Sequence, residues 1–240
     1  MLSGPPVTTT ASADQLLERF LSGSPRQRRS LLSQLLQRGQ EIRPLAADAL
    51  DRLDATGDDW AAGTLIQLLL GHDDGLRQAF EQRYTEGWLA VSSGQGVDYN
   101  PLQRALALQQ FEEADRLTSA ILRQLAGADA ERRGYVYYSE VPPMAAVDLD
   151  SLDRLWVAYS QGRFGFSVQL RLLRSLGGRW DLLWPRLGWK QGGVWTRYPG
   201  SFSWSLEAPE GHLPLVNQLR GVRLMDALLN HPGLQQRVTA

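Results

Sequence analysis

Leucines and aromatic residues recur every three or four positions along most of the chain, and the gaps between these runs fall at glycine, proline and serine. Such spacing marks helices with one apolar stripe turned to a core. In ADQLLERFL, residues 13–21, the stripe is Leu16, Leu17, Phe20 and Leu21. SPRQRRSLLSQLLQRG, residues 24–39, places Ser24 as an N-cap and Pro25 at the first helical position, and closes at Gly39. EIRPLAADALDRLDATG and DDWAAGTLIQLLLG continue the pattern, each ended by glycine, and DDGLRQAFEQRYTEGW completes it. Five short helices with short connections predict a helical bundle over residues 13–90.

VSSGQGVDYNP, residues 91–101, has no periodicity and reads as a linker. Beyond it, NPLQRALALQQFEEADRLTSAILRQLAG predicts two helices, whereas YVYYSEVPPMAAV, residues 135–147, reads as extended or irregular. DLDSLDRLWVAYSQG carries a stripe of Leu149, Leu152, Leu155, Trp156 and Tyr159, and FGFSVQLRLLRSLGG reads as a helix ending at Gly177 and Gly178. Residues 179–212 lose the period and hold many aromatics, glycines and prolines. A long irregular segment of this kind is functional or disordered, and its tryptophans argue against disorder. Within it, Trp189 and Trp195 flank KQGGV, a tight turn between two short extended pieces. LPLVNQLRGVRLMDALLNHPG returns to helix. The expectation is an all-α protein: a disordered tail at 1–12, an N-terminal helical bundle at 13–90, and a helical core at 95–233 with a long aromatic loop.

Composition narrows the chemistry. The chain has 240 residues and no cysteine, which removes disulfides and thiolate metal sites. A formal net charge of −1 argues against a general polyanion binder, and single-strand nucleic-acid binders set their rings and arginines on sheets or barrels. No apolar run reaches the roughly 20 residues that cross a bilayer. MLSGPPVTTTAS lacks the plan of a signal peptide, so a cytoplasmic protein is expected. His72, His212 and His231 are far apart, and His72 with Asp73 and Asp74 reads as a turn rather than a metal site. Lys190 is the sole lysine, a skew that a GC-rich coding bias explains.

Two further skews point to a ligand. Six of the eight tryptophans fall between Trp156 and Trp204, and residues 150–240 hold eleven basic against six acidic side chains. Asn217, Arg220 and Arg223 lie three apart, so a helix would put them on one face. Rings with guanidinium groups suit a flat apolar ligand bearing carboxylates, since arginine meets a carboxylate in a forked geometry. A solvated helix face is the other reading of that spacing, and stapling to the core is the other reading of each tryptophan. No acid–base or nucleophile constellation marks an enzyme.

Three segments, in order, carry a resemblance: DLDSLDRLWVAYSQGRFGFSVQ, LGWKQGGVWTRY and EAPEGHLPL. With them, residues 95–230 resemble the genomes uncoupled four family, the tetrapyrrole-binding regulators of magnesium chelatase, and residues 13–90 look like the accessory domain of its cyanobacterial members. The resemblance implies a non-enzymatic monomer whose helical core, shaped like a cupped hand, holds protoporphyrin IX or magnesium protoporphyrin IX. It also implies stimulation of magnesium chelatase in chlorophyll biosynthesis through the enzyme's large porphyrin-binding subunit, and leaves room for peripheral contact with the thylakoid membrane.

Carried over to this chain, the ligand residues are Trp195 on the palm, with Trp189 and Leu213 beside it. Val194 stands where a second aromatic is common in the family. Asn217, Arg220 and Arg223 match the polar helix face near the propionates, and Leu108 and Arg116 the facing side of the cup. Phe164 and Phe166 set the floor, either beneath it or against the ring, with packing beneath favoured. No side chain is expected to ligate the metal, and His212 reads as a turn residue bonded to backbone. The alternative is a helical adaptor that binds proteins and no ligand.

Overall fold

The computed structural model describes residues 11–216 and 222–239, so two of the expected site residues, Asn217 and Arg220, lie outside the described residues. The fold is all-α. The first five helices are α1 (Ala13–Ser22), α2 (Pro25–Gln37), α3 (Gly39–Leu50), α4 (Trp60–Leu70) and α5 (Gly75–Arg83). Then come α6 (Asn100–Ala107), α7 (Phe111–Ala126), α8 (Ala128–Arg133), α9 (Ala146–Tyr159), α10 (Phe166–Ser175) and α11 (Trp180–Arg186). The chain ends in α12 (Arg223–Leu229) and α13 (Pro232–Thr239). Among the described residues the sheet structure is one antiparallel hairpin, β1 (Lys190–Gln191) with β2 (Val194–Trp195).

Short polar side chains set the helix starts. Ser12 and Ser24 each form a reciprocal capping box, with Gln15 and Gln27, and Pro25 fills the first turn of α2. Ser12 is the N-cap of α1, and the Ala11 carbonyl accepts from Arg38 Nη1 at 2.6 Å. Gly39 opens α3 instead of closing α2. Asp74 caps α5 through the N–H groups of Leu76 and Arg77 and also receives the Arg43 fork at 2.8 and 2.9 Å, so the His72–Asp74 turn is structural.

Two helices have no solvated face. α4 buries nine of its residues and α9 eleven, in keeping with a helix that is surrounded rather than amphipathic. They pack against each other, and a Cβ on Gly63 would sit 2.0 Å from the Ala158 carbonyl oxygen, so the crossing requires glycine. One hydrophobic cluster runs from Leu16 to Leu234.

The linker is bound down as well. Ser151 of α9 bonds both the N–H and C=O of Ser92, Asp148 accepts from Gly94 N at 3.0 Å, and the Tyr99 hydroxyl donates to Asp148 at 2.8 Å. Arg154 donates to the carbonyls of Ala55, Gly57 and Ala90, and Arg237 of α13 ties Asp58, Asp150 and Asp153 together. Two of the eleven basic side chains of residues 150–240 are thereby used inside the fold.

Two segments differ from the sequence reading. Residues 179–212 hold, besides the expected turn between two short extended pieces, the helix α11. Leu213–Val216 is not helical, and α12 begins at Arg223. Packing accounts for this: Gln169 of α10 donates to the carbonyls of Gly211 and Pro214, and Leu213 accepts from Gly165 N, so the strand of chain is held extended.

Candidate functional site

The second and third segments of the motif set meet at two buried polar rings, Trp189 and His212. Trp189 is almost wholly buried and its indole N–H donates to the His212 carbonyl at 2.8 Å. The His212 imidazole accepts at Nε2 from Ser203 N (3.3 Å), which leaves Nδ1–H to donate to the Leu187 carbonyl at 2.6 Å. Burial lowers the His212 pKa, so the ring is neutral and committed to backbone. It is a turn residue, as its sequence context indicates.

Around this anchor the tryptophans stack. Trp184 lies parallel to Trp189 at 5.8 Å, stacks on Trp180 at 5.2 Å and meets Trp195 at 5.6 Å. Tyr198, Phe202 and Trp204 form a second cluster, with centroids 6.0–6.3 Å apart. The hairpin thus rests on rings, not on strand pairing, and its outer side stays open: Val194 is 71% exposed, Tyr198 58% and Trp195 39%. Lys190 Nζ sits 5.2 Å from the Trp195 ring centre.

Between the hairpin and α7 lies a cleft of about 770 Å³. That volume falls within the roughly 300–1,000 Å³ of small-molecule sites. One wall is the face of α7 made by Asp115, Arg116, Ser119, Leu122 and Arg123, which share a side because they are three or four residues apart. The opposite wall is Trp189, Trp195, Arg197, Tyr198 and Phe202. Residues 134–136 after α8, Leu215 and Val216, and Leu224 of α12 close the remaining sides. The lining combines aromatic and aliphatic side chains with the guanidinium-bearing residues Arg116, Arg123 and Arg197. Arg116 is held by Glu113 one turn earlier.

Asp115 is the one acid among the lining residues and is 2% exposed. Its Oδ1 accepts from Leu215 N at 2.6 Å, a bond that spans the cleft from α7 to the chain before α12. Burial pushes its carboxyl up to about 7, the Leu215 N–H acts in the opposite direction, and Glu112 adds to the rise.

Of the residues singled out in the sequence, Arg116, Trp189 and Trp195 come together in this cleft. Arg223 starts α12 next to the cleft residue Leu224, but its guanidinium lies over Tyr138 at 5.4 Å. Val194 points from the hairpin tip and Leu108 caps α6; neither lines the cleft. Leu213 is fully buried. Phe164 and Phe166 are also fully buried, with Phe164 edge-on to Phe111 at 5.6 Å, so the pair packs in the core. Gly165 between them makes room for α9, because a Cβ there would stand 2.7 Å from Asp153 Oδ1. Asp115, Arg123, Tyr198 and Phe202 are cleft residues that the sequence reading did not select. Positions 119 and 123 follow Arg116 at helical spacing, a signal that would have found that wall.

Comparisons with known proteins agree on one family. Residues 92–232 match the profile described as GUN4-like. The chain is 45% identical over 73% of its length to a Ycf53-like protein of Synechocystis, covering 76% of that protein. It is 36% identical over 56% of its length to the chloroplastic tetrapyrrole-binding protein of Arabidopsis thaliana, covering 54% of that protein. Among solved structures, it is similar to GUN4 of Chlamydomonas reinhardtii, with a TM-score of 0.57 and 39% identity over 60% of this chain and 95% of that one. It is also similar to ligand-free GUN4 of Arabidopsis thaliana, with a TM-score of 0.54 and 36% identity over 58% of this chain and 99% of that one.

Proposed function

This chain belongs to the GUN4-like family, and from that membership we propose that its cleft binds a tetrapyrrole, protoporphyrin IX or magnesium protoporphyrin IX. The observation that carries the reading is the cleft itself. Its rings and aliphatic side chains offer an apolar surface, and Arg116, Arg123 and Arg197 line the same cleft.

Each part of that surface suits one part of the ligand. A macrocycle moved from water to an apolar wall gains about 25 cal/mol per Å² before association costs. Its propionates stay charged and so turn to the rim, where forked guanidinium groups fix their orientation. Trp195 and Tyr198, only partly covered, gain most from a ring laid against them. His212 takes no part in metal binding, because both nitrogens are used by backbone.

The protein's role is regulatory rather than catalytic in this reading. It delivers tetrapyrrole to, or takes it from, the large porphyrin-binding subunit of magnesium chelatase, acting as a monomer in the cytoplasm or at the thylakoid surface. Residues 13–90 serve as the accessory bundle and 95–233 as the ligand core.

Titration of the full chain with each porphyrin, read by quenching of tryptophan emission, tests the ligand. Saturable quenching at micromolar porphyrin, followed by faster chelatase turnover when the loaded protein is added, is the expected result. No quenching, together with capture of the chelatase subunit, would replace this reading with that of an adaptor without ligand.

A further inference from the structure

Resting on the tetrapyrrole reading of the cleft, we propose that Asp115 couples ligand binding to a proton, so that a metal-free tetrapyrrole closes over the neutral acid. The geometry sets this up. Asp115 faces the cleft from α7, is 2% exposed, and has the Leu215 N–H as its hydrogen-bond partner. Arg116, next to it on α7, is taken by Glu113, and among the described residues no guanidinium pairs with Asp115. A ligand entering the cleft covers this carboxyl with apolar ring and brings two negative propionates. Both changes disfavour the carboxylate and favour the acid.

Among the described residues that line the cleft, Asp115 is the carboxyl that burial pushes up to about 7. On α7, Glu112 is exposed and raises Asp115 further, while Arg116 and Arg123 are permanently cationic. From the hairpin side, Arg197 is also cationic, and Tyr198 is held above its ordinary value by burial, then by Asp115 and Glu112. After α8, the Tyr135 hydroxyl is bonded to that of Tyr137 at 3.1 Å. His212, behind Phe202, is shifted down by burial and stays neutral. The ligand's propionates are ionised above about pH 6, as carboxylates near pKa 4–5 must be.

The sign follows from linkage. A carboxyl whose pKa is near 7 in the free protein and higher in the complex binds ligand best when protonated. Affinity is therefore full below pH 7 and falls as pH rises toward the pKa of the complex. Between pH 7 and 8.5 the limiting loss is about 16-fold.

The test compares protoporphyrin IX titrations of the wild-type chain and Asp115→Asn from pH 6.5 to 8.5. Calorimetry at pH 7 in two buffers of different ionisation enthalpy counts protons directly. Asparagine keeps an oxygen for the Leu215 N–H, and Asp115→Leu gives a second neutral side chain should the first fold poorly. Expected are a wild-type dissociation constant rising by up to about 25-fold across that range, uptake of up to about half a proton at pH 7, and neither effect in the variants. Equal pH slopes in wild type and variants would overturn the role of Asp115 while leaving ligand binding standing. An absence of binding by the wild type at every pH would remove both.

Discussion

Replacing Arg237 with alanine should destabilise the whole chain, not only its last helix. The guanidinium donates from Nε to Asp153, from Nη1 to Asp150 at 2.9 Å and from Nη2 to Asp58 at 2.6 Å. The three pairs are unequal. The Asp58 and Asp150 side chains are 44% and 35% exposed, and such partly solvated pairs contribute about 0–1 kcal/mol each. Asp153 is fully buried and, without Arg237, keeps only the Ser167 N–H at 2.8 Å. A buried carboxylate left without its counter-charge costs about 3–5 kcal/mol. Arg237→Ala should therefore lose about that much in urea unfolding and about 10 °C in Tm. Asp58→Ala should lose less than about 1 kcal/mol. Adding Asp153→Asn to Arg237→Ala should recover about 2 kcal/mol, because the orphaned charge is gone. A single-variant loss below about 1 kcal/mol, or an Asp58→Ala loss as large as that of Arg237→Ala, would refute the assignment of the energy to Asp153.

Two other expectations follow from single contacts. Gly63→Ala would drive a methyl to 2.0 Å from the Ala158 oxygen, so it should push α4 off α9 at a cost of about 3 kcal/mol or more, seen as a lower urea midpoint. Asp74 is held near pKa 2, first by Arg43 and then by the Arg77 N–H, against an ordinary 3.8. Its stabilising effect is thus complete above pH 3.8 and is lost as pH falls through about 2. Asp74→Asn should flatten the pH dependence of the urea midpoint between 4 and 2; an unchanged slope would place the acid response elsewhere.

The parts that local pattern dictates were legible. Ser24 and Pro25 announce α2 because capping needs only neighbouring residues, and the stripe from Leu149 to Tyr159 announces α9 because its period is long enough to count. α11 was not legible: seven residues between Gly178 and Gly188, with Pro185 inside, give less than two full turns of pattern. Arg154 and Arg237 counted as surface charge in the sequence, yet they are spent on carbonyls and carboxylates far along the chain.

The site divides the same way. Trp189 and Trp195 were found through the motif segments and Arg116 through the weaker likeness of the stretch before them, and the family indicated is the one that residues 92–232 match. Asp115 was invisible because its burial depends on Leu215, one hundred positions later. Phe164 and Phe166 could be read as floor or as core, and only packing against Phe111 and Trp156 decides for core.

The central claim is that the space between α7 and the hairpin is where the tetrapyrrole sits. Ser119 lines that space at mid-helix, and a tryptophan there would take up part of it. Parallel protoporphyrin IX titrations of the wild-type chain and Ser119→Trp, followed by porphyrin absorbance, test the claim most directly. Saturable one-to-one binding by the wild type and at least about tenfold weaker binding by a folded Ser119→Trp is the expected result. Equal affinities would contradict it and move the ligand elsewhere on the molecule.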